Sequence, residues 1–489
     1  MGVVVNQSIK NTIVTYLGFG IGAINVLFLY TSFLSDEYFG LVSYLLSTAN
    51  IMMPLMAFGV HNTIVKFYSS FKTKQSQNSF LTLMLFLPLL VIIPFGLIGH
   101  FAFSYISSWL AADNKIVVDY VWLIYIAAIT FAYFEVFYAW SKVQMQTVFG
   151  NFMKEVFHRL CTTLLLLMLN AGYLSVNQFI YSVVGVYALR MLIMKLYAFS
   201  LRLPKLKFER IPNVSRILKY TTLIIVAGSV ANVILEIDKF MINRYEAIEN
   251  VAYYGVAIYI ATVIGVPYRS MYQIVNPLTA KLLNEKNKID LKILYQKSSL
   301  TLFIISGFIF LMIILNINEL YKLINESYVD GLIVVFIIGL TKLSDSLLGN
   351  NNAILFNSDY YRMVLVLGVF LAVLTIVLNM VFIPLYGING AAFATFIAIL
   401  IYNISKILFV YFKFKILPFS ANTIKVVLLL LVCLGVFYFW DFKFHPVLNI
   451  ALKSLLISMF YGFVVYALHL SDDISILLNK IFRKNKHTS

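Results

Sequence analysis

The chain is written almost entirely in long apolar runs broken by short polar turns. Fourteen such runs fall at about 11–34, 41–66, 80–106, 117–140, 151–172, 176–200, 214–243, 250–275, 296–317, 329–354, 362–385, 389–412, 420–440 and 447–470. Each is about as long as the ~20 residues a helix needs to cross a bilayer's hydrocarbon core. A backbone in lipid must satisfy its own hydrogen bonds, so runs of this length are expected as helices. The pattern predicts an all-α integral membrane protein with 14 transmembrane helices.

Composition agrees. Of 489 residues, 61% are apolar and 12% charged, and the mean hydropathy is +0.89. A soluble domain carries about 25% charged residues. The net charge of +16 would suggest nucleic acid on a soluble chain. Here it is expected to mark basic cytoplasmic loops, and no nucleic-acid partner is expected. With the N-terminus inside, 27 of the 37 Lys and Arg fall on the inner side against 5 outside, with 5 within spans. That asymmetry predicts both termini in the cytoplasm of a plasma membrane. The two cysteines, Cys161 and Cys433, support neither a disulfide framework nor a metal site. No cofactor is expected, and there is no nucleophile–base constellation or nucleotide loop.

The chain also repeats. Tyr38-Phe39-Gly40-Leu41 resembles Tyr253-Tyr254-Gly255-Val256 at an offset of 215, and the same offset carries Lys66 onto Lys281. Each block opens the second span of a set of six, with acids just before it. The largest basic cluster, 202–219, falls between the sets; it reads as a topology signal and linker, or as a contact with anionic lipid. The organisation expected is a six-helix lobe at 1–200, a basic cytoplasmic linker at 201–219, and a second six-helix lobe at 220–415. Two further helices and a basic cytoplasmic tail fill 416–489. An even number of spans per lobe makes the repeat parallel, with its pseudo-twofold axis along the membrane normal.

Two segments carry a family resemblance. Residues 378–395, LNMVFIPLYGINGAAFAT, join two apolar helices through a turn built on Pro384 and Gly387, and residues 236–242, EIDKFMI, lead into an acidic turn and the Tyr-Tyr-Gly block. These resemble polysaccharide-type (O-antigen or oligosaccharide) flippases of the multidrug/oligosaccharidyl-lipid/polysaccharide (MOP) exporter superfamily, over about residues 8–415. The resemblance implies a MATE-like two-lobe fold. It also implies a transporter, not an enzyme, that moves an undecaprenyl-diphosphate-linked glycan from the inner to the outer leaflet of the bacterial inner membrane by alternating access. The headgroup would cross a polar central cavity while the prenyl tail stays in membrane lipid, and a polysaccharide polymerase would act on the product. Rival readings are a peptidoglycan lipid precursor flippase, a multidrug exporter of the same superfamily and, in another class, a membrane glycosyltransferase or polymerase. Asp36-Glu37 resembles the acidic motif of that last class, but the outer loops are too short to hold donor and acceptor.

Ionisable groups within spans are costly and usually face a cavity or each other. Lys342, Asp345, Gly349 and Asn352 share one face of the tenth span, with Lys342 about 20 Å from its outer end. They read either as a cavity cation with its modulating carboxylate or as a self-neutralised pair. Thr262, Arg269, Gln273 and Asn276 share a face of the eighth span, which Pro267 is expected to break; Arg269 faces the cavity or snorkels to the inner surface. Asn232, Glu236, Lys239 and Asn243 share a face of the seventh span, with Asp238 displaced from it. Glu135 and Arg190 lie at similar depth on the fourth and sixth spans and invite a pair. His61 reads as a packing residue before a proton carrier. Gly18 and Gly22 suggest close helix packing, with Asn25 on the same side. A diphosphate head with about two negative charges wants Lys or Arg in a low-dielectric cavity. Arg190, Lys239, Arg269 and Lys342 are the expected substrate cations. Asp345, Glu135, Glu236, Asp238, His61, Asn25 and Gln273 are the polar and coupling candidates, and the driving force stays open between H+, Na+ and membrane potential.

Overall fold

The computed structural model describes residues 2–204, 214–440, 442 and 444–471. The centre of the basic linker and the basic C-terminal tail lie outside the described residues. Every described element is helical. In chain order the principal helices are α1 (Lys10–Phe33), α2 (Asp36–Met56), α3 (Lys74–Phe101), α4 (Lys115–Lys142) and α5, whose segments Val148–Phe152 and His158–Asn170 join through a π turn at Met153–Phe157. They continue as α6 (Val176–Leu201), α7 (Val214–Tyr245), α8 (Glu249–Asn284), α9 (Lys288–Ile314), α10 (Glu326–Ser346), α11 (Tyr361–Phe414), α12 (Ala421–Phe437) and α13 (Pro446–Ala467).

Among the described residues ten helices are long and apolar enough to cross a membrane, or eleven when the bent α7 is taken as one span. The expectation of fourteen exceeds this. The difference lies in three places with physical causes. The π turn interrupts α5. The 17 residues of α12 make it short for a spanning helix. The eleventh and twelfth apolar runs are continuous in hydrogen bonding as α11, although Gly387 leaves helical geometry at φ 57°, ψ −137°.

Side chains set where helices begin and bend. Ser175 and Gln178 form a reciprocal capping box at the start of α6, and Asn287 accepts the Asp290 N–H at 3.1 Å at the start of α9. α7 bends by 51° between its segments Val214–Val230 and Asn232–Tyr245. A 3-10 turn at Val263–Gly265 interrupts α8 just before Pro267, where the sequence predicts the break. Gly349 adopts φ 51° in a turn that ends α10, so the helix face expected from Lys342 to Asn352 is broken before Asn352. Gly18 packs so closely on the π turn of α5 that a Cβ there would collide with the Glu155 carbonyl.

The contacts divide the chain into two compact units, residues 1–255 and 256–489. The first is centred on Trp140, Phe134, Phe80 and Met194, where α3, α4 and α6 meet. The second is centred on Phe310, Leu311, Cys433 and Ile457, from α9, α12 and α13. Both cysteines are free. Lys406, counted on the inner side, and Lys453, counted on the outer side, are both buried within helices.

Candidate functional site

Each unit holds a polar cavity walled by helices that are otherwise apolar. In the first unit a cavity of about 310 Å³ is lined from α2, α4, α5, α6 and α7. Carboxylates enter it from Glu135, Glu155 and Glu236, and cations from Lys154, Arg159 and Arg190. Glu135 on α4 accepts from the Lys154 amine at 2.6 Å. Arg159 lies 3.4 Å from Glu155, one turn along α5, and Lys239 lies 3.1 Å from Glu236 on α7. The π turn of α5 supplies both Lys154 and Glu155; such insertions often occur at functional sites.

Arg190 stands apart from these pairs. It is 7% exposed, its Nε is buried with no partner, and it makes no hydrogen bond or ion pair among the described residues. Its guanidinium instead lies among aromatic rings, 4.1 Å from the Phe134 centroid, 4.8 Å from Tyr187 and 5.7 Å from Phe131. The expected Glu135–Arg190 pair is not formed, because Lys154 reaches the carboxylate first.

In the second unit a cavity of about 260 Å³ is lined from α8, α10, the turn after α10 and α11. Three cations line it, Arg269, Lys342 and Lys406, against one carboxylate, Asp345. Asp345 accepts from the Asn403 amide at 2.8 Å and does not pair with Lys342 along the helix. Lys406 is 3% exposed. Its amine sits 4.1 Å from the Tyr402 ring centroid and donates to Asn352 Oδ1 at 3.3 Å, while Asn352 donates to the Tyr268 hydroxyl at 3.0 Å. Arg269 is exposed, and neither it nor Lys342 has a hydrogen-bond or ion-pair partner among the described residues.

The remaining expected residues fall elsewhere. Lys239 does not line the first cavity and serves as the counter-ion of Glu236. Asp238 is buried and accepts from the Tyr254 hydroxyl at 2.5 Å. His61 Nε2 meets the Asn62 amide at 3.0 Å. Asn25 ties α1 to α5, donating to the Arg159 carbonyl at 2.8 Å and accepting from Thr163 at 2.7 Å. Gln273 is exposed and outside the second cavity. Sequence reasoning missed Lys154, Tyr187, Tyr402 and Lys406. A signal for two of them was present: the repeat offset of 215 carries Tyr187 onto Tyr402, and each lines the cavity of its own unit.

The comparisons with known proteins agree with this architecture. A family described as "polysaccharide biosynthesis protein" matches residues 4–283, and a MatE family matches residues 224–381. No curated protein matches by sequence. Among solved structures, the lipid II flippase MurJ in an inward closed conformation superposes with a TM-score of 0.73 at 13% identity, over 94% of this chain and 99% of that one. An inward-facing multidrug resistance MATE family transporter of the MOP superfamily gives 0.58 at 13% identity, over 82% and 94%. The Vibrio cholerae MATE transporter VcmN gives 0.53 at 11% identity, over 83% and 97%. At such identities these likenesses show the fold. The match over more than half of the chain shows the family: this all-helical, multi-span membrane protein belongs to the polysaccharide biosynthesis protein family.

Proposed function

We propose that the protein moves an undecaprenyl-diphosphate-linked oligosaccharide from the inner to the outer leaflet of the bacterial plasma membrane, for assembly of a surface polysaccharide. The observation that carries this reading is the charge of the second cavity. Arg269, Lys342 and Lys406 outnumber Asp345 by two, and a diphosphate brings about two negative charges to match. Cations removed from bulk water make strong charge-assisted bonds to phosphoryl oxygens. A cavity for cationic drugs would hold the opposite excess. The prenyl tail stays in lipid, and the head crosses as the protein alternates between inward- and outward-open states.

The two lobes that alternate would be residues 1–200 and 220–415, joined by the basic linker, with both termini in the cytoplasm. A second reading, transport of a peptidoglycan lipid precursor, is favoured by the fold likeness to the lipid II flippase. The polysaccharide-family match over residues 4–283 favours the first.

The test is complementation of a deletion strain with Arg269→Ala and Lys342→Ala. Each variant should express at wild-type level and lose at least about tenfold in surface polysaccharide, since a hydrogen bond to a charged group contributes about 1.5–3 kcal/mol. Full activity in both would refute the cationic-cavity reading. The lipid-linked species that accumulates identifies which of the two substrates is carried.

A further inference from the structure

The two cavities differ in a way that bears on the cargo. In the second, the cations are in excess by two and most of them are lysines. In the first, every lining carboxylate already holds a cation of its own: Glu135 with Lys154, Glu155 with Arg159, Glu236 with Lys239. What remains is Arg190, buried, with an unpartnered Nε and its guanidinium held among Phe131, Phe134 and Tyr187. A buried cation without a counter-ion is costly to keep. The aromatic faces offset part of that cost, and an entering anion would offset the rest.

The surroundings of Arg190 narrow the kind of anion. With its three carboxylates each paired, the cavity keeps the single surplus charge of Arg190, which matches a monoanion where the second cavity's two match a dianion. A guanidinium is planar and matches the two oxygens of a carboxylate with a fixed fork of N–H donors. The same walls carry the carboxylate oxygens of Glu135 and Glu236, which accept hydrogen bonds from hydroxyl groups, and an aromatic face on Tyr187. A cavity of about 310 Å³ lies at the lower end of the size range of small-molecule sites. We propose that this first cavity is a sugar-acid site: it takes a hydroxylated ring bearing one carboxylate, of the uronic acid class, with the carboxylate on Arg190. Resting on the flippase reading above, this makes the carried glycan acidic. Its sugar carboxylate and its diphosphate would then be read by different residues.

The purified full-length protein separates the two claims. Glucuronate, glucose and inorganic pyrophosphate would each be titrated calorimetrically onto wild type, Arg190→Gln and the Lys342→Ala/Lys406→Ala double variant. Glucuronate should bind at least about tenfold more tightly than glucose, and Arg190→Gln should erase that preference without changing pyrophosphate binding. The lysine double variant should lose pyrophosphate binding and keep glucuronate binding. If Arg190→Gln does not fold, Arg190→Lys retains the charge without the planar fork and should lose the same preference. Equal binding of glucuronate and glucose, a preference that survives both Arg190 variants, or displacement of glucuronate by pyrophosphate would overturn the sugar-acid site. A wild type that fails to bind pyrophosphate while still preferring glucuronate through Arg190 would count against the flippase reading and leave this site standing.

Discussion

A lysine amine among apolar helices must be compensated locally, and Lys406 has only partial compensation: one tyrosine face, one amide oxygen at 3.3 Å and the Asp345 carboxylate in the same cavity, with no direct ion pair among the described residues. Such a residue is maintained at a cost in stability. Lys406→Ala is therefore expected to leave expression and thermal stability unchanged or raised while lowering translocation about tenfold or more, as measured by complementation alongside a melting curve. A collapse of the melting temperature with transport intact per folded molecule would make Lys406 structural instead. Glu135 and Lys154 behave differently, because the carboxylate is nearly buried and the amine half-exposed. Solvent around the amine screens their attraction. A double-mutant cycle with Glu135→Gln and Lys154→Met should return a coupling of about 1 kcal/mol in stability. At this scale the sequence was partly readable. Lys342, Asp345 and Arg269 were legible because helical spacing puts them on polar faces inside apolar runs. Lys154 and Lys406 were not, because each sits close enough to a span end to pass as a loop charge, and only the packed helices show where its amine goes.

Among the elements, the junction at 378–395 illustrates how a short signature dictates geometry. Gly387 adopts a backbone conformation closed to other residues at little cost, and Gly390 lies so close to the Phe382 carbonyl that a Cβ would collide with it. Gly390→Ala should lower the yield of folded protein and its melting temperature. Gly435→Ala is the matched control: a Cβ there meets nothing within 4 Å, and exchanging glycine for alanine in a helix stabilises by about 0.5–1 kcal/mol. Equal melting temperatures for the two variants would contradict this account of the turn. The breaks in the other helices were legible to different degrees. Pro267 announces the interruption of α8. The π turn of α5 carries no proline or glycine within Met153–Phe157, so nothing in its composition reveals that it will present Lys154 and Glu155 to a cavity.

For the whole molecule, hydropathy and charge asymmetry predict both topology and orientation. Reporter fusions after residue 415 and at the C-terminus should both read cytoplasmic; a periplasmic signal from the C-terminal fusion would remove one span from the scheme of fourteen. The repeat offset of 215, first visible in a Tyr-Gly block, reappears in Tyr187 and Tyr402, so the duplication extends to residues that line cavities. What the sequence does not show is the division of labour between those cavities. Total intramembrane charge is nearly balanced, and only the pairing of particular side chains reveals that one cavity keeps two surplus cations and the other a single unpaired arginine. The central claim, that the cargo is a lipid diphosphate carrying a glycan, is tested most directly by locating that lipid. In cells lacking the protein, mass spectrometry of lipid-linked glycans combined with an impermeant glycosidase reports which leaflet holds them. Accumulation of a complete undecaprenyl-diphosphate oligosaccharide that the glycosidase cannot reach is the predicted result, and its normal arrival at the outer leaflet would contradict the account.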